Sequence, residues 1–147
     1  MNIITATSEN LDQLVPLFDG YRVFYKQPSN LEATKDFLSD RFKENDSIIF
    51  IAFDGHHNAI GFTQLYPIFS SVSMRPLHVL NDLFVTDKYR GLGVGRSLLE
   101  YAKEQIIKMY SKGLILETAK DNPARHLYEK LGWKQDFDML HYTWENK

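Results

Sequence analysis

Glycines occupy every second position of one short stretch, at Gly91, Gly93 and Gly95. The stretch follows an apolar run that is predicted to be a strand (residues 80–85) and precedes an amphipathic segment that is predicted to be a helix (residues 94–109). Glycine lets the backbone approach a ligand closely, and the first amides of a helix lack partners within it and lie at the positive end of its dipole. The junction is therefore predicted to bind phosphate, most naturally a pyrophosphate.

Two common nucleotide-binding patterns do not fit this junction. A P-loop requires lysine and then serine or threonine after its last glycine, whereas Gly95 is followed by Arg96 and Ser97. A Rossmann fingerprint requires a third glycine after two intervening residues, and the two positions where it would fall hold Arg96 and Leu98. The sequence therefore argues against both an ATP-binding P-loop and a dinucleotide-binding fold.

The flanking segments predict an α/β fold with the element order β-α-α-β-β-β-α-β-α-β-β. Short connections join the second, third and fourth strands, which favours an antiparallel meander, and the strand–helix–strand order that follows implies a parallel pair. The second helix is predicted to begin with a capping box of Ser29 and Glu32. The predicted strands are residues 2–6, 47–53, 59–69, 77–85 and 114–119, with closing strands at about 133–137 and 139–144.

The run at residues 47–53 barely alternates between apolar and polar, so this strand is predicted to be buried on both faces. Apolar residues make up 44% of the chain, which is enough for a real core. Together these patterns predict a single domain, residues 1–147, built on a mixed and mostly antiparallel sheet flanked by helices.

Composition argues against several classes of function. The net charge is −2 with no long basic run, which disfavours nucleic-acid binding. The chain has no cysteine and its five histidines form no recognisable ligand set, so no metal site is predicted. No signal peptide or apolar stretch of membrane-spanning length is visible, which predicts a cytoplasmic protein without membrane contact.

Two motifs resemble the GNAT N-acetyltransferase superfamily. The run Arg90-Gly91-Leu92-Gly93-Val94-Gly95, behind the strand Leu83-Phe84-Val85, resembles its acyl-CoA signature, Gln/Arg-x-x-Gly-x-Gly/Ala. The segment from Asn122 to Trp133 is similar to its Asn…Ala…Leu-Tyr-Glu-Lys-Leu-Gly-Phe segment, and the order of elements matches end to end. Two further segments look most like those of the polyamine and histone-type acetyltransferases. They are Leu80-Asn81-Asp82-Leu83-Phe84-Val85 and, earlier in the chain, Tyr21-Arg22-Val23-Phe24-Tyr25.

The resemblance implies a GNAT fold that transfers acetyl from acetyl-CoA to a primary amine. The glycine run would hold the pyrophosphate, with help from Arg90 or Arg96. The pantetheine arm would pair with the backbone of residues 83–85 like an added strand, provided that the next strand splays away. The residues assigned to coenzyme A are Leu83, Phe84, Val85, Arg90, Gly91, Leu92, Gly93, Val94, Gly95, Arg96, Ser97, Asn122 and Arg125.

The same resemblance assigns the residue that acts as general acid but does not identify the general base. Tyr128 matches the family tyrosine that protonates the leaving thiolate, and a backbone amide near Leu83 or Phe84 would polarise the thioester. The polyamine enzymes carry glutamate where this chain has Asn81, and an amide nitrogen cannot act as a base. Asp82 and Glu117 are the candidates that remain, unless bulk water deprotonates the amine. Strand alternation predicts that Asp82 faces away from Asn81.

The acceptor pocket is expected from the first two helices and the loop at residues 70–76. Tyr21 and Tyr25 lie four residues apart and are predicted to bracket a cationic amine, with Asn81 as a further substrate contact. The leading expectation is a small-molecule acceptor. The alternatives are a protein lysine or N-terminus, or a non-catalytic acyl-CoA sensor. Because many relatives pair through C-terminal strands, the resemblance also implies a homodimer.

Overall fold

The computed structural model describes residues 1–147 and contains five strands and four α-helices. In chain order they are β1 (Asn2–Thr5), α1 (Leu11–Phe24), α2 (Leu31–Glu44), β2 (Ile48–Phe53), β3 (Ala59–Ser70), β4 (Arg75–Val85), α3 (Val94–Lys108), β5 (Leu114–Ile115) and α4 (Ala124–Lys130). The chain divides into two compact units, Met1–Glu117 and Thr118–Lys147. None of the helices is both long enough and apolar enough to cross a membrane.

The five strands form one mixed sheet in the order β1-β2-β3-β4-β5. The first three pairings are antiparallel and the last, β4 with β5, is parallel, which confirms the predicted meander and crossover. β5 is much shorter than the predicted strand at residues 114–119, because only Leu114 and Ile115 pair with β4. The parallel ladder ends just before a β-bulge in β4, and a bulge bends a strand away from its neighbour.

Helices cover both faces of this sheet, and the core of the first unit lies between the helices and the sheet. Leu14 and Leu38, from α1 and α2, pack with Ile51 and Phe62 in one cluster on one face. On the other face Phe50 lies edge-on to Tyr101 of α3, with ring centroids 5.1 Å apart. β2 is therefore buried on both faces, as its unbroken apolar run predicted.

The turn between α1 and α2 is fixed by a buried carboxylate. Asp19 accepts hydrogen bonds from Ser29 Oγ at 2.6 Å and from the Asn30 amide at 2.8 Å. The predicted capping box of Ser29 and Glu32 is therefore wrong, since Ser29 is bonded to Asp19. Asn30 caps α2 instead, and its Oδ1 accepts from the Ala33 amide at 3.0 Å.

β3 and β4 approach each other closely at Gly61. A Cβ at this position would lie 2.8 Å from the carbonyl oxygen of Phe84, which is backbone and cannot move aside. We expect Gly61→Ala to lower the free energy of unfolding by about 1–3 kcal/mol relative to Gly55→Ala, measured by urea denaturation. Gly55 is the matched control because its added Cβ would meet nothing within 4 Å. Equal stabilities of the two variants would contradict the close approach.

The second unit contains one helix and no strand. α4 ends at Gly132, as predicted, where φ is +86° and the Trp133 amide donates to the Tyr128 carbonyl at 3.0 Å. The two predicted closing strands are absent, since residues 131–147 form neither helix nor strand. A strand forms only where a neighbouring strand accepts its backbone hydrogen bonds, and this unit contains none.

Candidate active site

The glycine turn, residues 90–95, has the backbone that an anion site requires. Gly91 and Gly93 have φ of +76° and +86°, a region that side-chain-bearing residues rarely adopt. Gly93 is the N-cap of α3 and supplies no side chain to the first amides of the helix. A Cβ on either glycine would meet nothing within 4 Å, so there is open space beside the turn. Uncapped amides at a helix N-terminus next to open space fit a pyrophosphate.

Two side chains hold the glycine turn in place. Tyr89, just before the turn, donates its hydroxyl to Asp54 Oδ2 at 2.6 Å, which ties the turn to the β2–β3 hairpin. Arg90 donates from Nε to the Val85 carbonyl at 2.9 Å and pairs through Nη1 with Asp87 at 2.8 Å. The Arg90 side chain is thus engaged within the turn. Arg96, the second predicted phosphate contact, is exposed on the first turn of α3.

The end of β4 has one unpaired edge. Because β5 pairs only with His78 and Val79, residues 80–85 have no strand neighbour opposite β3, as the predicted splay required. The Thr86 amide donates to the Ile60 carbonyl, and alternate residues of an antiparallel pair direct their backbone groups to opposite sides. The amides and carbonyls of Leu83 and Val85 therefore face this free side, called the open edge here, and those of Phe84 face β3.

A β-bulge in β4 overturns the predicted orientation of Asn81. Gln64 pairs with Asp82 and Leu65 pairs with Leu80, so Asn81 is the extra residue. Strict alternation would place Asn81 and Asp82 on opposite faces, but a bulge breaks the alternation and redirects side chains. Asn81 Nδ2 donates to Asp82 Oδ1 at 3.1 Å, and both side chains line one cavity. The prediction that they point to opposite faces was wrong.

Asp82 is a buried carboxylate with neutral hydrogen-bond donors around it. Its Oδ2 accepts from Gln64 Nε2 at 2.6 Å, and Gln64 Nε2 also donates to the Tyr66 hydroxyl at 3.1 Å. Burial raises the pKa of Asp82, and hydrogen bonds from Gln64, Tyr21 and Asn81 offset part of that rise. A carboxyl with a raised pKa is suited to accept a proton near neutral pH.

Asp82 and Asn81 lie in the wall of a cavity of about 410 Å³, called the Asp82 cavity here. It lies against the side of α1 and α2 that faces the sheet. Its lining comprises Phe18, Arg22, Ala33, Thr34, Phe37, Tyr66, Asn81 and Asp82. A second cavity of about 450 Å³ lies between the start of α1 and the end of α2, but β4 contributes nothing to it.

The other residues predicted to bind the acceptor amine or to act as the base are Tyr21, Tyr25 and Glu117, and none of them lines this cavity. Tyr21 donates from its hydroxyl to the Asn81 carbonyl at 3.3 Å, and burial raises the pKa of this phenol. Tyr25 is half exposed, and its ring contacts that of Tyr21 at 4.9 Å. The two rings therefore pack on each other and leave no gap for an amine between them. Glu117 is exposed and does not line the Asp82 cavity.

The second unit holds the remaining predicted residues close to α4. Asn122 Oδ1 accepts from the amide of Ala124, the first residue of α4, at 3.0 Å. Arg125 donates from Nη1 to the Lys120 carbonyl at 2.8 Å. Tyr128 is half buried, and its ring centroid lies 5.8 Å from that of Trp133. The assignments of Asn122 and Arg125 to coenzyme A and of Tyr128 to proton transfer stay predictions.

Four polar residues at this site were missed from the sequence: Arg22, Thr34 and Tyr66, which line the Asp82 cavity, and Gln64, which hydrogen-bonds Asp82. Gln64 and Tyr66 are polar positions two apart inside an otherwise apolar strand, AIGFTQLYPIF. A buried glutamine in such a run requires hydrogen-bond partners, and this was the available signal. Arg22 gave no signal beyond its place on α1, four residues after Phe18.

Comparisons with known proteins agree with this geometry. Residues 45–135 match the family model of the acetyltransferase (GNAT) domain. The N-acetyltransferase YhfO of Bacillus subtilis, itself uncharacterized, is 43% identical over 143 residues, which cover 97% of this chain and 95% of YhfO. A probable acetyltransferase of Haemophilus influenzae is 33% identical over 141 residues, 88% of this chain and 97% of the relative.

A solved structure gives the same result for the fold. The crystal structure of a probable acetyltransferase superposes with a TM-score of 0.95 at 36% identity, over 100% of this chain and 99% of that one. The sheet with its open edge, the glycine turn and the helices flanking them are thus those of an acetyltransferase. The chain belongs to the GNAT acetyltransferase family.

Proposed function

We propose that this GNAT acetyltransferase moves acetyl from acetyl-CoA to the primary amine of a small molecule. One observation carries the proposal: β4 lines both parts of the site. Asn81 and Asp82 face a cavity whose volume suits a small ligand, and residues 83–85 directly after them form the open edge. A second substrate bound in the cavity would thus lie beside a thioester held along the same strand. The name N-acetyltransferase given to the relative YhfO supports an amine as the acceptor.

The residues that would hold coenzyme A fit their task. The glycine turn has open space beside Gly91 and Gly93 for the pyrophosphate, and Arg96 adds an exposed positive charge nearby. The backbone groups of Leu83 and the amide of Val85 face the open edge and can hydrogen-bond the amides of the pantetheine arm, whereas the Val85 carbonyl already accepts from Arg90. When bound, acetyl-CoA supplies the activated acetyl thioester. We assign the amide that polarises its carbonyl to Leu83 rather than Phe84, because the Phe84 amide faces β3.

Asp82 and Tyr128 would take part in the proton transfers of the reaction. The amine arrives as an ammonium ion, and Asp82 Oδ1 or Oδ2 accepts one of its protons so that the nitrogen can attack the acetyl carbon. The new C–N bond forms as the C–S bond breaks, and the nitrogen then loses its second extra proton to water. Tyr128 gives its phenol proton to the leaving sulfur. Asp82 then releases its proton to water and Tyr128 takes one back, so one proton is released for each acetyl transferred.

We expect Tyr128→Phe to lower kcat by about 100-fold, within the range that a single proton donor contributes, and to leave acetyl-CoA affinity almost unchanged. Steady-state rates and calorimetric binding measure the two quantities. Tyr142→Phe is the matched control, because Tyr142 belongs to the same unit and is exposed. A Tyr128→Phe enzyme with the turnover of the unmodified protein would remove Tyr128 from the mechanism.

A thiol-release screen tests the proposed function. Acetyl-CoA is supplied with polyamines, amino sugars, amino acids and lysine peptides in parallel. Saturable thiol release with at least one small amine is the expected result. Release only with peptides would instead identify a protein acetyltransferase, and tight binding of acetyl-CoA without any release would identify a sensor.

A further inference from the structure

The Asp82 cavity contains one acidic and one basic side chain. Asp82 is the one residue of the lining that can carry a negative charge, Arg22 carries a positive charge, and the other lining residues are uncharged. Asp82 is 3% exposed, so its carboxylate lies in the wall of the cavity and not at its mouth. A ligand that satisfies both groups must itself carry a positive and a negative charge.

Arg22 has donors available for a ligand. It lies one helical turn after Phe18 on α1, with its side chain 29% exposed. Nη1 donates to the Pro28 carbonyl at 3.2 Å and lies 4.0 Å from Asp19 Oδ1. Asp19 is already bonded to Ser29 and Asn30, and its pKa is lowered by those bonds, chiefly by that from Ser29. The Nε and Nη2 groups of Arg22 are therefore left to bind an anionic group.

Thr34 provides a second group that lacks a partner. It lines the Asp82 cavity from α2 and is 2% exposed. Its hydroxyl lies near Asp19 but makes no hydrogen bond of ordinary geometry. A buried hydroxyl without a partner costs free energy, which a ligand oxygen bonded to Thr34 would recover. Arg22 and Thr34 together can thus hold an acidic group.

A polyamine does not match this cavity. A diamine brings two ammonium groups, and the lining offers only the carboxylate of Asp82 to receive them. Its second ammonium would approach Arg22, a like charge, and the nearest carboxylate to Arg22, that of Asp19 at 4.0 Å, lies outside the lining and is already bonded to Ser29 and Asn30. Arg41 adds positive charge nearby, since its guanidinium lies 4.9 Å from the centroid of the lining residue Phe37, although Asp46 pairs with it at 3.3 Å.

We propose that the acceptor is a small primary amine that also carries an acidic group, as an amino acid does. Its ammonium is held by Asp82, and its acidic group by Arg22 and the Thr34 hydroxyl. This inference rests on the proposed function, because it names the acceptor class for the same reaction. It selects against polyamines within the broader class of small amines.

Amines that differ only in their end group test the inference. For chain lengths of two to five carbons, each set compares an ω-amino acid, the neutral alkylamine and the diamine. We expect kcat/KM for the best amino acid to exceed that of its alkylamine by about 10- to 100-fold, as expected for hydrogen bonds to a charged group. The diamine is expected to be the poorest of the three.

The variant Arg22→Gln separates a binding role from a structural one. It should lower kcat/KM for the amino acid by about 10-fold or more and leave the alkylamine within about threefold, whereas a purely structural arginine would lower both equally. Thr34→Val tests the hydroxyl without removing a charge. Lys35→Gln is the control, because it removes an exposed charge on α2 outside the cavity. Calorimetric binding of the amino acid to the unmodified protein and to Arg22→Gln gives a readout that is independent of turnover.

The outcomes distinguish a failure of the inferred acceptor class from a failure of the proposed amine acetylation. A preference for the diamine, or equal rates with amino acid and alkylamine, overturns the inference and leaves amine acetylation standing. If no amine is acetylated but the amino acid binds in an Arg22-dependent way, the ligand class stands and the proposed reaction fails. If no amine is acetylated and the amino acid does not bind, both are overturned.

Discussion

Gly93→Val is expected to raise the dissociation constant for coenzyme A by at least about 100-fold. Gly93 has φ of +86°, and a β-branched residue at that angle is strained, so the variant must move the backbone that presents the first amides of α3. Its side chain would also occupy the open space beside Gly93. Calorimetric titration with coenzyme A measures the loss of affinity.

Two further variants make this result specific. Gly113→Val adds the same side chain where it meets nothing within 4 Å and where φ is not positive, so it should bind coenzyme A normally. Gly93→Asn keeps the left-handed backbone, which asparagine tolerates, but still places a side chain in the turn. A folded Gly93→Asn protein with unchanged affinity would show that the phosphate does not lie in front of Gly93.

Asp82→Asn is expected to lower kcat by about 100- to 1000-fold, the contribution of a general base, and to weaken acceptor binding. Acetyl-CoA affinity should be unchanged, because no residue of the glycine turn contacts Asp82. The free energy of unfolding should change by no more than about 1 kcal/mol. The amide can accept from only some of the donors that now face the carboxylate, those of Gln64, Tyr21 and Asn81, and this loss is offset by removal of a buried charge.

The pH dependence gives a second test of Asp82. Burial raises its pKa, and a base must be ionised to accept a proton, so activity should fall as pH drops through that raised pKa. Asp82→Asn should lose this acidic limb of the profile. Asp36→Asn, an exposed aspartate on α2 outside the cavity, should keep it. An unchanged limb in Asp82→Asn would assign the base to another group or to water.

Features set by local chemistry were predictable from the sequence. The glycine turn follows from backbone angles and helix ends, which depend on neighbouring residues alone. The burial of β2 on both faces followed from its unbroken apolar run, and the end of α4 followed from Gly132. The antiparallel meander followed from the short connections between β2, β3 and β4.

Features that depend on distant partners were not predictable. The bulge at Asn81 arises from how β4 pairs with β3, and it alone brings Asn81 and Asp82 into one cavity. Ser29 carries a good capping pattern, but Asp19, ten residues earlier, takes its hydroxyl. The prediction of the closing strands was wrong for a similar reason, because a strand needs a neighbouring strand as hydrogen-bond partner, and the local sequence does not show whether one is present.

The structure restricts the chemical class of the acceptor amine more than family membership alone does. Membership of the GNAT family establishes an acetyltransferase, whereas the charges around Asp82 separate classes of amine. Arg22 of α1 and Thr34 of α2 line the helical wall of the cavity, and Asp82 of β4 lines the wall formed by the sheet. Changes at these two positions should therefore alter acceptor choice more than acetyl-CoA binding.

The most direct test of the central claim is a product balance with the unmodified protein. Acetyl-CoA and the best amine from the screen are incubated with the protein, and free coenzyme A and acetylated amine are quantified together by mass spectrometry. We predict equal amounts of the two products, with acetyl on the amine nitrogen and none formed when the amine is omitted. Coenzyme A released without an equal amount of N-acetyl amine would contradict the account.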